Sequence, residues 1–174
     1  MISFYYGAGS PYTWRVWLAL EHKSLAYELK VLSFSAGDLR KPEFVSLNPR
    51  RKVPLITDAG GLVLYESAAI VEYLQDAYPG SGKPLFPASA PERALVRRMV
   101  CEADNYFAPA MNRLTRQVLF TPEAEWNAEK IAAAGAQCVE ELELWSEQVR
   151  GNFLAGALSA ADFTLYPMVA LALR

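Results

Sequence analysis

The stretch Gly9-Ser10-Pro11-Tyr12-Thr13-Trp14-Arg15-Val16 constrains the fold of this chain more than any other, because it directly follows the short apolar run Ile2–Tyr6. Ser10 is a favoured helix cap, and Pro11 suits the first turn of a helix. A helix N-terminus presents unpaired N–H groups and partial positive charge, so a hydroxyl there can help to hold an anion such as a thiolate. The same residues would also serve as a plain helix cap. The segment therefore predicts a strand, a turn and a helix, with a candidate anion site between them.

The first 78 residues alternate between strand and helix patterns. The predicted strands are Ile2–Tyr6, Tyr27–Leu32, Val53–Thr57 and Leu62–Tyr65, and the predicted helices are Ser10–Glu21, Asp38–Leu47 and Glu66–Tyr78. Asp58-Ala59-Gly60-Gly61 is a hairpin signal between the last two strands. The order βαβαββα predicts one α/β sandwich with a mixed sheet.

A proline- and glycine-rich segment, Pro79-Gly80-Ser81-Gly82-Lys83-Pro84, ends this pattern, and every later segment has helical periodicity. Pro109 is expected to kink the first long helix, predicted over Glu92–Leu114. Ser159 and Asp162 have the spacing of a capping box for the last helix. The chain is therefore expected to comprise residues 1–79, a linker over 80–90, and a helical domain over 91–174.

Composition narrows the classes of function. The 174 residues carry a net charge of −2, which points to neither nucleic acid nor an anionic membrane as a partner. No apolar run reaches the about 20 residues of a membrane-spanning helix, and the strand at the N-terminus leaves no room for a signal peptide. We therefore expect a cytoplasmic protein. One histidine, His22, and the well-separated Cys101 and Cys138 predict two buried free thiols and no metal site.

Lys52-Val53-Pro54 lies at the start of a predicted strand. Proline cannot donate to a sheet ladder, so Pro54 belongs at an edge or at a strand start. With a cis bond, Val53 could offer its N–H and C=O to an extended peptide. A trans proline at a strand start would have no such role.

Glu66-Ser67 opens the third predicted helix, where a carboxylate, a hydroxyl and free N–H groups meet. These groups suit a zwitterionic amino acid, with Glu66 for the ammonium and Ser67 for the carboxylate. A helix start stabilised by the dipole would use the same residues. Arg40, Lys41 and Lys52 flank the region and could hold a second carboxylate, although such side chains are usually only solvated.

In this order and spacing the motifs resemble the glutathione transferase superfamily, and the resemblance covers the whole chain. The segments that carry it are Lys41-Pro42-Glu43-Phe44, Asn48-Pro49, Lys52-Val53-Pro54-Leu55, Glu66-Ser67-Ala68-Ala69-Ile70, Phe153-Leu154-Ala155-Gly156 and Leu158-Ser159-Ala160-Ala161-Asp162. The resemblance implies a thioredoxin-like, glutathione-binding domain followed by an all-helical domain that forms the acceptor-substrate site. Family members normally continue beyond the position of Arg174, so the C-terminus is expected to be short or cut.

The resemblance also implies site residues. Ser10 matches the activating serine of the tau, phi, theta and zeta classes, with Arg15 at their Ser-x-x-x-x-Arg spacing and a structural role. Tyr5 and Tyr6 are the alternatives, because they lie where tyrosine-type classes place their catalytic phenol. The implied glutathione-binding residues are Arg40, Lys52, Val53, Pro54, Glu66 and Ser67, with Asp104 reaching the ligand of a partner subunit.

The function implied is transfer of glutathione to hydrophobic electrophiles, which is a detoxification reaction, by a homodimer that needs glutathione as co-substrate and no metal. Two alternatives stay open. One is a glutathione-dependent isomerase of the zeta, maleylacetoacetate isomerase-like, type, although the Ser-Ser-Cys run of that class is absent around Ser10. The other is a non-catalytic binding module that keeps the fold.

Overall fold

Four strands of the N-terminal unit form one mixed sheet in the order β2-β1-β3-β4. They are β1 (Ile2–Gly7), β2 (Tyr27–Leu32), β3 (Leu55–Asp58) and β4 (Leu62–Tyr65) in a computed structural model that describes all of residues 1–174. β1 runs parallel to β2 and antiparallel to β3, and β4 runs antiparallel to β3. The predicted mixed sheet is confirmed.

Helices α1 (Pro11–His22), α2 (Pro42–Leu47) and α3 (Ser67–Ala77) cover the two faces of this sheet. Alternation along β1 decides which helix each side chain meets. The ring of Tyr6 meets that of Trp17 in α1 edge-on at 5.4 Å, whereas Tyr5 lies 6.1 Å from Phe44 in α2. Because α3 packs against α1, those two helices share one face and α2 takes the other.

The C-terminal unit, Phe86–Arg174, is helical, and the division from Met1–Leu85 falls inside residues 80–90. Its helices are α4 (Ala90–Glu102), α5 (Ala108–Val118), α6 (Ala128–Ser146) and α7 (Ala160–Ala172). The carboxylate of Asp162 accepts hydrogen bonds from the N–H and the hydroxyl of Ser159 at 2.9 and 3.0 Å. The predicted capping interaction at the start of α7 is therefore present.

Two predicted helices are interrupted. The segment predicted as one helix over Asp38–Leu47 is a 3₁₀ turn, Asp38–Arg40, followed by α2. Pro42 has no N–H to continue a helix, and Lys41 before it is extended at φ −66° and ψ 140°. The predicted long helix Glu92–Leu114 contains a π-helical turn, Ala103–Phe107, just before Pro109. That turn adds a residue to the helical repeat, which a 3.6-residue pattern does not foresee.

One expectation about burial in α4 was wrong. Cys101 is exposed, whereas Cys138 is buried as expected, and both thiols are free. Met99 of the same helix is only 4% exposed and belongs to the interior of its own unit. Across all the helices, none combines the length and the apolar character that crossing a bilayer requires.

Candidate functional site

Ser10 lies in the turn between β1 and α1, where it caps the helix. Its Oγ accepts a hydrogen bond from the N–H of Thr13 at 3.3 Å, and its own N–H donates to the carbonyl of Gly7 at 3.3 Å. A hydroxyl that accepts through a lone pair keeps its proton for a second partner. Ser10 is half-buried, so a ligand can reach this proton at the positive end of a 12-residue helix.

Arg15 joins the start of α1 to the start of α3. Its side chain is 1% exposed, and Nη1 donates to Ser67 Oγ at 3.1 Å. The guanidinium also lies 5.8 Å from the centroid of the Tyr12 ring. A planar cation held in this way fixes both helix N-termini in one arrangement. The hydrogen bond from Arg15 to Ser67 is therefore the contact on which a structural role for Arg15 would depend.

Glu66 and Ser67 form the N-terminus of α3. Glu66 is exposed, has φ 72° and ψ 105°, and its carbonyl accepts the first helical bond from Ile70 at 3.0 Å. A non-glycine residue at such positive φ is strained by about 1–3 kcal/mol, and this kind of strain clusters at binding sites. Ser67 is 6% exposed, and its hydroxyl retains a proton beside the unpaired N–H groups of the first turn. The arrangement can hold an anion at Ser67 and a cation at Glu66.

Val53 and Pro54 lie directly before β3, and the peptide bond between them is cis. Val53 packs over the end of β1, since a Cβ added to Gly7 would lie only 2.8 Å from Val53 Cγ2. Gly7 also accepts the N–H of Ser10, so the structure brings Ser10 and Val53 together around this one glycine. The lack of a side chain at Gly7 is what allows the close approach.

Asn48 organises the loop that leads to this proline. It is 1% exposed, its Nδ2 donates to the carbonyl of Lys52 at 2.8 Å, and its Oδ1 accepts from the N–H of Arg50 at 2.9 Å. From the sequence, Asn48 is noted only as part of the Asn48-Pro49 pair among the segments that carry the family resemblance. The buried amide instead holds the main chain of Lys52, next to Val53.

The basic residues are spread along exposed segments. Arg40 ends the 3₁₀ turn and Lys52 precedes Val53, and both residues are exposed. Lys41 pairs with Asp38 at 2.7 Å. This hydrogen bond lowers the pKa of Asp38 and raises the pKa of Lys41. Lys41 is thereby neutralised, while Arg40 and Lys52 have no carboxylate partner.

The two tyrosines of β1 contact aromatic rings on opposite faces of the sheet. Tyr6 packs edge-on against Phe4 at 6.1 Å as well as against Trp17. Tyr5 lines a cavity of about 290 Å³ together with Leu32, Phe44 and Leu47. Neither hydroxyl has a hydrogen-bond partner within the chain. Asp104 lies in the π-helical turn of the C-terminal unit, and its suggested role toward a partner subunit stays a prediction.

Thr13 is a second residue that sequence analysis missed. It is fully buried, and its Oγ1 donates to the carbonyl of Gly7 at 3.2 Å. Its N–H and its hydroxyl thus tie Ser10 and Gly7 to the first turn of α1. The sequence did contain a signal for the role of Thr13. The side chain of an N-cap serine accepts a hydrogen bond from the N–H of the third helical residue, and Thr13 is three residues after Ser10.

Comparison with known proteins agrees with this geometry. Residues 9–77 match the family model described as glutathione S-transferase, N-terminal domain. Glutathione S-transferase A of Pleuronectes platessa is 34% identical, and the match covers 97% of this chain and 76% of the relative. The chain belongs to the glutathione S-transferase family. The resemblance on which the fold and the transferase assignment depended is confirmed.

Two further relatives illustrate the breadth of the family. Maleylacetoacetate isomerase of Mus musculus is 30% identical, with 95% of this chain and 75% of the isomerase covered. A glutathione transferase from Burkholderia graminis, solved with two glutathione molecules bound per subunit, has a TM-score of 0.87 and 26% identity. The match covers 99% of this chain and 72% of the Burkholderia graminis chain. The glutathione S-transferase fold predicted from the sequence is therefore confirmed.

Proposed function

We propose that this family member binds glutathione on its N-terminal unit and uses Ser10 to stabilise the glutathione thiolate for attack on hydrophobic electrophiles. The observation that carries the proposal is the hydrogen bonding of Ser10. Its Oγ accepts from the N–H of Thr13, which leaves the hydroxyl proton to be donated to a sulfur at the N-terminus of α1. Ser10 has a donor role in this mechanism, and the sulfur of the co-substrate is the nucleophile.

The rest of the site supports an extended tripeptide. The γ-glutamyl end would lie at α3, with its ammonium at Glu66 and its carboxylate at Ser67. The cysteinyl part would pair with the main chain of Val53, as an added strand does. The glycyl carboxylate would lie toward Arg40 and Lys52, which have no carboxylate partner of their own. Asp104 of a second subunit would meet the γ-glutamyl ammonium.

Ser10 has to lower the pKa of the glutathione thiol by only a small amount. A free thiol has a pKa of about 8.5, and each unit by which the pKa falls needs about 1.4 kcal/mol of preferential stabilisation of the anion. A hydrogen bond to a charged acceptor together with the helix dipole supplies about 1–2 such units. At neutral pH this turns a minor thiolate fraction into a substantial one, which then attacks an electrophilic carbon.

The proposal extends to the setting of the reaction. Conjugation of electrophiles is a detoxification chemistry, with its acceptor site in the helical domain over residues 91–174 after a linker over 80–90. Two free cysteines agree with a reducing compartment, and we place the protein in the cytoplasm. We propose a homodimer, because the exposed Leu95 and Tyr106 of the C-terminal unit suit burial against a partner.

Relatives named maleylacetoacetate isomerase favour a second candidate, a glutathione-dependent isomerase. Retention on immobilised glutathione, conjugation of a generic aromatic electrophile, and isomerisation of maleylacetone distinguish the candidates. Retention with conjugation supports the transferase, and isomerisation without conjugation supports the second candidate. Retention with neither activity would identify a binding module, and loss of retention would contradict the glutathione site itself.

A further inference from the structure

The C-terminal unit contains a cleft of about 480 Å³ between α5 and α6, and none of its lining residues belongs to the proposed glutathione site. Three cations line it: Arg113 and Arg116 from α5 and Lys130 from α6. No aspartate or glutamate lines the cleft, and none of the three cations forms an ion pair with a carboxylate. This concentration of positive charge is unexpected in a chain whose net charge is −2.

The cations lie on both walls, and one of them is held in place across the cleft. Arg113 Nε donates to Gln137 Oε1 of α6 at 2.6 Å, which leaves its terminal amino groups for another acceptor. Arg116 and Lys130 have no side-chain partner at all. Guanidinium groups match the geometry of a carboxylate with two parallel hydrogen bonds, and a lysine adds a point charge.

The remaining lining combines neutral amides with small apolar groups. The amides come from Asn112, Gln117 and Gln137, and the apolar groups come from Pro109, Ala133 and Ala134. Small side chains on α6 leave the floor open, and the amides can donate to oxyanions. A site with cations on two walls and an apolar floor suits a carbon skeleton with an anionic group at each end.

We propose that this cleft is a binding site for small organic dianions of the dicarboxylate class. One carboxylate binds the arginines of α5, and the other binds Lys130 across the cleft. The carbon chain between them lies on Pro109 and the two alanines. The cleft shares no lining residue with the proposed glutathione site, and its occupancy does not depend on Ser10 chemistry.

The test is a calorimetric titration of the whole protein with adipate, compared with hexanoate and inorganic phosphate. We expect one saturable adipate site per chain, bound at least tenfold more weakly by R116Q/K130Q. These two exposed side chains have no partners in the fold, so the double variant should fold normally. R150Q, which removes an exposed cation of the same unit outside the cleft, and K52Q, at the glutathione site, should bind adipate as the wild type does.

Hexanoate and phosphate should each bind at least fivefold more weakly than adipate. Hexanoate lacks the second carboxylate, and phosphate lacks the carbon chain. In ¹⁵N spectra, the side-chain amide signals of Asn112, Gln117 and Gln137 should shift with adipate. Equal affinity of wild type and R116Q/K130Q, loss of binding in K52Q instead, phosphate binding as tight as adipate, or absence of saturable binding at millimolar adipate would each overturn the proposal.

Discussion

Glu66 is the N-cap residue of α3, and it combines an exposed carboxylate with a positive backbone φ of 72°. Its carboxylate has no partner within the chain, so the folded protein gains nothing from the side chain to offset the backbone strain. A site that binds an ammonium would account for retaining it. The carboxylate and the backbone can be separated by substitution.

We predict that Glu66→Ala weakens glutathione binding by about 1–3 kcal/mol, because a hydrogen bond between charged groups is lost. Glu66→Gly should lose the same affinity yet unfold with a free energy about 1 kcal/mol higher than Glu66→Ala, because glycine adopts positive φ without strain. Calorimetric titration with glutathione and urea unfolding measure the two effects. Asp76→Ala, which removes an exposed carboxylate from the other end of α3, is the control. Unchanged affinity in Glu66→Ala would remove the γ-glutamyl assignment.

At the scale of elements, side chains that connect two helices or a helix and a strand hold the site in shape. Arg15 links α1 to α3 through Ser67. Asp58 at the end of β3 accepts hydrogen bonds from Tyr73 of α3 at 2.8 Å and from Tyr78 just after α3. Both ends of α3 are therefore fixed by polar contacts with other elements of the same unit.

The Arg15–Ser67 contact should be measurable as a coupling between helices. We expect Ser67→Ala to lower the free energy of unfolding by about 1–3 kcal/mol, since it removes an acceptor from a buried guanidinium. Arg15→Met should lower it by about 2 kcal/mol or more. A double-mutant cycle should return a coupling energy of about 1 kcal/mol. Additive effects of the two substitutions would show that the hydrogen bond does not connect the helices.

The Asp58 cluster makes stability dependent on pH on the acid side. Burial of Asp58 raises its pKa, but the hydrogen bonds from Tyr78, the N–H of Ala59 and Tyr73 together lower it. Because the folded pKa lies below the unfolded value of about 3.9, the stabilisation is complete above that pH and is lost as pH falls through the folded pKa. Urea unfolding between pH 5 and about pH 2 should show a shallower acid loss for Asp58→Asn, because the loss occurs below the unfolded pKa. Tyr73→Phe should move the loss to higher pH. Identical pH profiles for wild type and Asp58→Asn would contradict this account.

The same scale shows what could be predicted from the sequence. β2 and β4 begin and end where alternation and turn residues predicted them, at Tyr27–Leu32 and Leu62–Tyr65. Local chemistry determines such boundaries. β3 begins at Leu55 and not at Val53, because Pro54 cannot donate to the ladder. The π-helical turn before Pro109 interrupts the 3.6-residue period, and the hydrogen bond from the Asn48 amide to the Lys52 carbonyl lies within a loop. Periodicity patterns contain neither feature.

For the whole molecule, the two proposed sites draw on different units of the chain. Every candidate glutathione-binding residue except Asp104 belongs to Met1–Leu85, whereas the cationic cleft belongs to Phe86–Arg174. The chain covers about three-quarters of the length of the relatives described above, with 76% of the Pleuronectes platessa enzyme matched. Assembly is the property at this scale that can be tested directly.

We expect a homodimer in which the helix predicted over Glu66–Tyr78 and the long helix over Glu92–Leu114 pack across a two-fold axis. Leu95 is 38% exposed and Tyr106 is 61% exposed, which leaves apolar surface for a partner. Sedimentation at micromolar concentration should show twice the chain mass, and Leu95→Glu/Tyr106→Glu should shift it toward 19.3 kDa. A wild-type species of 19.3 kDa would contradict the prediction.

The central claim is that the Ser10 hydroxyl stabilises the bound thiolate, and the pKa of that thiol tests it most directly. The measurement is the thiolate absorbance of the glutathione complex against pH for wild type, Ser10→Ala, Tyr5→Phe, Tyr6→Phe and Ser89→Ala. Ser89 caps α4 with the same kind of bond, from Glu92 N–H at 3.3 Å, so its loss controls for the removal of a helix cap. We predict that Ser10→Ala still binds glutathione but raises the thiol pKa by about 1–2 units, a 10–100-fold loss in rate near neutral pH, while the other variants leave the pKa unchanged. A thiol pKa that moves with a tyrosine and not with Ser10, or that moves with none of these hydroxyls, would contradict the account.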